Sequence, residues 1–391
     1  MKLMQENQGI YKILLLLDYS SEFERNLLRG IVKYSNDFGP WLFYRLPPSY
    51  KAAFGDQAIV DYARKWKADA IVGRWDNDIV DLQKELDVPV IIQNYRHRRT
   101  TCANLTGDYS SAGHIAAQFF VRKGYRHFAF FGLRSVVWSE ERKIAYKEDI
   151  DNAGGTFACF EYEKKDDTMR KSLSEWLLEL PKPVALFCCD DENALYVSET
   201  CMMYNMNIPK QIALLGVDND ELMCNISCPP ISSIEQNVEA GGYAIGELIH
   251  EMLVSRKFIK KDIVISPTRV IARKSTDENV IEDKYVSEVV CRIENEYASP
   301  LTVNDLLSNI PLSRRSFEIK FRRATSTSIY KYILYCRCRH LAERLLTTRS
   351  QIIDLSMEVG FDDYNNVSRI FKKIYGCTPS EYRSKRKRII L

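Results

Sequence analysis

Two sets of residues in this chain could do chemistry, and they lie far apart in the sequence. Along the first three quarters, polar clusters follow short apolar runs: Asp18; Arg74, Trp75 and Asp76; Asn94 and Tyr95; Asp190 to Asn193; Asp218 to Asp220. Carboxylates and amides in such places can bond pairs of hydroxyls, while an aromatic face packs on the C–H surface of a sugar. Trp75, Trp138, Tyr44 and Tyr95 can supply that face. Near the C-terminus the chemistry differs. Residues 351–383, QIIDLSMEVGFDDYNNVSRIFKKIYGCTPSEYR, read as two short helices around a tight turn. The second carries Arg369, Lys372 and Lys373 on its surface, with Phe371 and Ile374 among its core positions. An apolar face that seats a helix and a polar face that meets base edges make a major-groove reader.

Charge supports the division. Residues 284–391 hold 20 Lys+Arg and 11 Asp+Glu, a net of +9, whereas residues 1–283 hold 35 and 41, a net of −6. The tail is therefore the footprint of a polyanion partner, double-stranded DNA. Other classes are disfavoured. The first strand runs into DYSSEFERN with no glycine-rich phosphate loop, no G-x-S-x-G elbow occurs, and the five histidines are scattered. Asp190 and Asp218 could be cast as an acid/base pair in a sugar-modifying enzyme with a basic tether, but hydroxyl binding explains them with fewer assumptions. We expect no enzyme and no catalytic residue.

The 11 cysteines form no regular framework, as for reduced thiols of the cytoplasm. Cys336 and Cys338 point in different directions on a helix, and Cys224 and Cys228 lack a second ligand pair, so neither metal nor cofactor is expected. No apolar run reaches the roughly 18–20 residues of a membrane span.

The elements that must position these residues follow from periodicity. Strand-like runs include 11–17, 69–73, 88–92, 127–131, 183–188, 211–217 and 263–265. Helical patterns include 21–36, 55–67, 109–123, 139–152, 168–180, 191–204 and 237–254. Such alternation predicts an α/β fold with mostly parallel sheets covered by helices, and ligands beyond the carboxyl ends of the strands. The polar stretch around 276–283 reads as a linker between a ligand domain at 8–275 and an all-α domain at 284–391. Within the latter, helix-turn-helix units fall at about 302–325 and 350–375. Thr302 and Ser313 are helix caps in the first, Phe317 and Phe321 point inward, and a helix over 328–347 joins the two.

The tail resembles the AraC/XylS family of transcription regulators. The matching residues are Ser313, Phe317 and Phe321; Ala342, Leu345 and Leu346; then Gly360-Phe361, Phe371-Lys372-Lys373, Gly376, Thr378-Pro379 and Tyr382-Arg383. Ser326 stands where a glycine is usual, Val367 replaces a larger apolar residue, and Cys338 takes a position that is commonly basic. By position, the resemblance makes Arg315, Glu318, Tyr364, Asn365 and Arg369 base-facing. Arg314, Arg322, Lys372 and Lys373 would be phosphate contacts.

Residues 8–275 resemble the ligand domain of the LacI/GalR regulators and the periplasmic sugar-binding proteins. The markers are VPVIIQNY, GDYSSAGHIAAQFFVRKGYRHFAFFG, FCCDDENALYV, IALLGVDND, ISSIEQNVEAGGYAIGELI and RVIARKST. The resemblance implies a two-lobed, periplasmic-binding-protein-like domain. Asn94, Arg142, Asp190, Asp218 and Gln236 would contact a sugar, with Arg74 or Asp76 at the cleft lip, and Trp75 and Trp138 as aromatic faces. Together the two resemblances imply a sugar-responsive activator that binds operator half-sites as a homodimer and recruits RNA polymerase. The ligand expected is a pentose, D-xylose. The same build could sense another sugar or a polyol, or act as a repressor.

Overall fold

The structure is a computed structural model. It describes residues 10–387 apart from 78, 279, 282, 349, 363 and Gly376, and of 343, 346, 347, 364, 365 and 384–387 only the backbone. The chain divides into two units. The first holds residues up to Ala117 with Phe128–Asp151 and Phe157–Asp277; the second holds Glu278 onward with Gln118–His127 and Asn152–Thr156.

In chain order the first lobe supplies β1 (Lys12–Leu16), α1 (Glu22–Phe38), β2 (Leu42–Arg45), α2 (Pro48–Trp66), β3 (Ala70–Arg74), α3 (Leu82–Leu86), β4 (Val90–Gln93) and β5 (Ala103–Gly107). The chain crosses through α4 (Tyr109–Arg122) to β6 (His127–Leu133), α5 (Val137–Asn152), β7 (Thr156–Tyr162), α6 (Met169–Glu179) and β8 (Val184–Cys188). It continues with α7 (Asp191–Met203), β9 (Ile212–Val217), α8 (Glu221–Ile226) and β10 (Ser232–Gln236). α9 (Val238–Ser255) leads to β11 (Ile263–Ile265) and then β12 (Pro267–Ile271). Two six-stranded sheets result, ordered β11-β5-β4-β3-β1-β2 and β12-β10-β9-β8-β6-β7. The registered pairs of the first sheet are parallel, while in the second β12 runs antiparallel to β10.

β1 shows why the sheets are covered on both faces. Ile13 and Leu15 join α1 and α9 in one core, and Leu14 and Leu16 join Ile59, Val60 and Ala63 of α2 in another. A strand with period-2 side chains and two buried faces reads as a continuous apolar run, as this one does. α1 and α9 meet backbone to backbone at Gly30 and Gly242. A Cβ on Gly30 would lie 2.0 Å from the Glu239 carbonyl oxygen, so any side chain there forces the helices apart.

Several strands were not legible as strands. β5 (ANLTG) and β10 (SSIEQ) are polar, yet β5 is buried throughout and Ser232 and Ser233 of β10 are fully buried. Their polar groups are satisfied. Asn104 bonds Asp262 at 2.8 Å, and Ser232 bonds the Ser275 hydroxyl through its backbone and Thr276 through its side chain. Burial of a fully bonded polar strand carries no apolar signature.

The second unit holds α10 (Lys284–Glu296), α11 (Val303–Leu307), α12 (Arg314–Thr325), α13 (Ile329–Thr347), α14 (Ile352–Glu358), α15 (Tyr364–Tyr375) and α16 (Pro379–Lys387). α13 serves two cores. Ile329, Tyr332, Ile333 and Cys336 pack with Phe317 and Phe321, while Cys338, Leu341, Ala342 and Leu345 pack with Val367 and Phe371. The stretch expected to be a linker is anchored rather than free. Thr276 is buried in the first unit, and in the second Ile281 is buried in the α10 core and the Val280 N–H donates to the Lys123 carbonyl.

Candidate functional site

The carboxyl ends of the strands of both lobes line one cavity of about 480 Å³ in the first unit. Asp18 and the turn into α1 follow β1, Arg74 ends β3 and Gln93 ends β4. On the other lobe Asp190 follows β8, Asp218 follows β9 and Gln236 ends β10. Parallel strands leave their loops on one edge, so residues far apart in sequence converge there.

Arg142 is at the centre. It is 3% exposed, donates Nη1 to the Cys189 carbonyl, and holds Nη2 3.9 Å from Asp218 Oδ1. Its guanidinium lies 5.3 Å from the Trp138 ring centroid, and its Nε has no partner among the described residues. Asp218 accepts from Gln236 Nε2 and has φ 105°, so this turn is held in the left-handed region by its surroundings. Burial pushes the Asp218 carboxyl up to about 7 against the pull of Arg142. Asp190 caps α7, its Oδ1 accepting from Asn193 N at 2.7 Å, and burial raises its pKa too. Asp191 is 2% exposed, accepts from Ser233 Oγ at 2.6 Å and Asp220 N at 2.7 Å, and is raised well above the carboxylate range by burial and by Asp218.

The facing wall comes from the first lobe. Arg74 stacks on Tyr95 at 3.9 Å and is held by Asp76 at 2.6 Å. Tyr95 and Trp138 meet edge to face at 6.0 Å. Aromatic faces beside hydroxyl-bonding groups suit a polyhydroxylated ring.

Of the residues named from sequence, Arg74, Trp138, Arg142, Asp190, Asp218 and Gln236 line the cavity. Others do not. Trp75 is 1% exposed in the α2 core with Nε1 bonded to the Val80 carbonyl, because the residue after β3 turns away from the cleft. Asn94 closes a turn, its Oδ1 accepting from Arg96 and His97 N–H groups. Asp76 reaches the cavity only through Arg74, its other oxygen accepting from Tyr95 N at 3.0 Å. Tyr44 stacks on Tyr62 at 4.7 Å on the edge strand β2. Sequence reasoning passed over Glu24, Gln93 and Tyr109, which line the cavity, and named Asp191 only within its polar cluster. The signal for Glu24 lies in the polar turn DYSSEFER, of which Asp18 is the one residue that strand-end position marks.

In the tail both helix-turn-helix units are present. Thr302 forms a capping box with Asp305, and Ser313 caps α12 through Ser316 N. Phe317, Phe321, Val367 and Phe371 are fully buried. Arg314, Arg315, Glu318 and Arg322 on α12, and Arg369, Lys372 and Lys373 on α15, are exposed. Glu318 is tied to Arg314 at 2.9 Å, and Arg369 bonds Asn366 Oδ1 at 2.9 Å. The side chains of Tyr364 and Asn365 lie outside the described residues. Ile319, 62% exposed on α12, is an addition; an apolar side chain on a reader helix suits a thymine methyl.

A periplasmic binding protein-like domain model matches residues 117–276, and a helix-turn-helix domain model matches residues 307–385. Fold, cleft and tail define a transcription regulator: a two-lobed, periplasmic-binding-protein-like domain followed by a helix-turn-helix DNA-binding domain. The chain is similar over nearly its whole length to the xylose operon regulatory proteins. It is 23% identical over 400 residues to that of Escherichia coli K12, covering 97% of this chain and 99% of the relative. It is 24% identical over 389 residues to that of Haemophilus influenzae, covering 95% and 98%. Among solved structures, the xylose-binding transcription activator xylR superposes with a TM-score of 0.60 at 22% identity, over 96% of this chain and 98% of that one. The regulator CelR with cellobiose superposes with a TM-score of 0.59 at 17% identity, over 68% and 85%.

Proposed function

We propose that this protein is a cytoplasmic, D-xylose-responsive transcription activator that binds operator half-sites as a homodimer, and that it is not an enzyme. The observation that carries the reading is the cavity itself. Asp190, Asp218 and Gln236 at strand ends and Arg142 on α5 offer donors and acceptors, with Trp138 beside Arg142 and Tyr95 supplied by the other lobe. These groups are set to bond hydroxyls rather than to transfer a proton to a leaving group, since Asp190 is spent on capping α7 and Asp218 on Gln236.

The proposed mechanism needs differential affinity. Sugar bonded from both lobes stabilises the lobe arrangement that supplies all contacts at once, and by linkage the DNA-competent dimer arrangement gains the same free energy. The paired tails then align on repeated half-sites, where they recruit RNA polymerase. Of the base-facing residues, Arg315 and Arg369 suit guanine, Asn365 adenine and Glu318 cytosine. Arg314, Arg322, Lys372 and Lys373 hold phosphates.

The test is a thermal-shift panel of pentoses, hexoses and polyols on the full chain, paired with operator affinity by fluorescence anisotropy. D-xylose at a hundredfold excess over its Kd stabilises the ligand-binding domain by about 2.7 kcal/mol through mass action. If D-xylose moves neither melting nor operator affinity, the pentose assignment is wrong. Turnover of any sugar by the purified protein would revive the enzyme alternative.

A further inference from the structure

Three buried polar atoms of residues that line the cleft have no partner among the described residues. Glu24 Oε2 and Gln93 Oε1 come from the first lobe, and Arg142 Nε from the second; the residues are 5%, 7% and 3% exposed, and all three line the cavity. Buried polar atoms almost always have partners, and each exception carries an unreturned desolvation cost. Three around one cavity point to a ligand that completes them. Glu24 is already fixed in place: Ser21 caps its backbone N–H at 3.3 Å, and the Asp18 backbone N–H bonds its carboxyl group. That leaves Oε2 buried and without a partner among the described residues, within the field of the Arg74 guanidinium. Gln93 is fixed by β4, its carbonyl accepting from Trp75 N at 3.1 Å.

The charge around the cavity narrows the ligand. Eight lining residues are carboxylic acids and two are arginines. Both arginines are committed, Arg74 to Asp76 and Arg142 to the Cys189 carbonyl with Asp218 beside it. The start of α7, where backbone N–H groups could receive an anion, is occupied by the Asp190 side chain. A phosphate or carboxylate on the ligand would meet a majority of acids, with each arginine already engaged by a carboxylate or carbonyl and only the Arg142 Nε–H open among the buried donors.

We propose that Glu24 and Gln93 are specificity-determining contacts that accept hydroxyl hydrogens, and that the cleft takes uncharged sugars while rejecting their phosphorylated and acidic forms. The proposal rests on the sugar-sensor reading and adds the residues and the ligand class to it. A purely structural acid at position 24 would have both oxygens bonded within the protein, as Asp191 does.

The experiment is calorimetric titration of the full-length protein with D-xylose and with α-D-xylose 1-phosphate, together with ligand-free melting. The variants are Glu24→Ala, Glu24→Gln and Gln93→Leu. Wild type binds D-xylose and binds the phosphate at least about a hundredfold more weakly, an effect of an unpaired buried charge. Glu24→Ala and Gln93→Leu each lose about tenfold in D-xylose affinity, the scale of one buried hydrogen bond, while ligand-free melting stays level or rises. Glu24→Gln keeps more sugar affinity than Glu24→Ala and narrows the gap between sugar and phosphate. Wild type that binds no neutral sugar of the wider panel overturns the sensor reading itself. Wild type that binds D-xylose while Glu24→Ala and Gln93→Leu bind it equally well overturns this proposal and leaves that reading standing. Equal binding of the phosphate overturns the ligand class, and lost affinity accompanied by lower ligand-free melting overturns the contact role in favour of a structural one.

Discussion

The cleft and the reader helices both rely on charged side chains, but under opposite conditions. In the cleft, Arg142, Asp191 and Glu24 are nearly inaccessible, and burial raises the pKa of both acids. On α12 and α15, Arg315, Arg322, Arg369 and Lys372 stand in solvent on helices whose other faces are fully buried. A buried charge works through a few fixed partners, so its loss is felt by the fold as well as by the ligand. An exposed charge works only when the polyanion arrives, so its loss is felt by DNA affinity alone and depends on salt.

The largest expected effect is therefore in the cleft. Arg142→Ala leaves Asp218 and Asp190 facing each other without their cation, and we expect it to abolish the sugar response and cost about 3 kcal/mol of stability, the scale of a broken buried pair. Urea unfolding with and without D-xylose measures both; unchanged unfolding would remove the contrast with the readers.

The next effect is on DNA. Arg369→Ala should cost about 1–3 kcal/mol on the cognate operator and relax sequence choice, while Lys372→Ala weakens cognate and scrambled DNA alike and lowers the salt slope by about 1. Anisotropy titrations at several salt concentrations separate them, and an equal loss on both DNAs for Arg369→Ala rejects its base-reading role.

A subtler effect is the pH dependence of the cleft. Glu24 and Asp218 are raised to about 7, so between the ordinary carboxylate range and pH 7 the native state binds more protons than the unfolded one. Their contribution to stability is complete below the unfolded pKa and is lost as pH rises through about 7. Ligand-free melting of the cleft-bearing unit should fall from pH 5.5 to pH 8 (about the window in which these acids ionise), and Asp218→Asn should flatten that fall. A melting temperature that rises across the window contradicts the buried-acid picture.

The smallest effect is at Ser326, which closes α12 in the left-handed conformation at φ 55°. Ser326→Gly removes a left-handed strain of about 1–2 kcal/mol but adds about 0.4–1 kcal/mol of freedom to the unfolded chain, leaving a small net gain. DNA affinity should not move, since the cap lies beyond the exposed reader face.

Much of this was readable in advance, for identifiable reasons. Runs such as KILLL and VALFC are strands with both faces buried, and caps such as Thr302 and Ser313 act within one turn of chain, so local spacing reveals them. Val367 fills its buried site despite being smaller than the usual residue. Other outcomes were not local. Trp75 was read as a stacking face and is core, because facing inward or outward after β3 depends on where α2 packs. Polar β5 and β10 are interior because Asp262, Ser275 and Thr276 arrive from far along the chain to bond them.

The sequence alone thus determined that there are two kinds of site, one built on strand ends and one on basic helices, since both depend on periodicity and charge along contiguous stretches. Tertiary structure decided which strand-end residues face one another. Asn94 and Asp76 are supports, and Glu24 on α1, Gln93 on β4 and Arg142 on α5 carry the unsatisfied atoms of the cleft. A hydrogen-bond deficit exists only once every neighbour is in place, so no stretch of sequence could have displayed it.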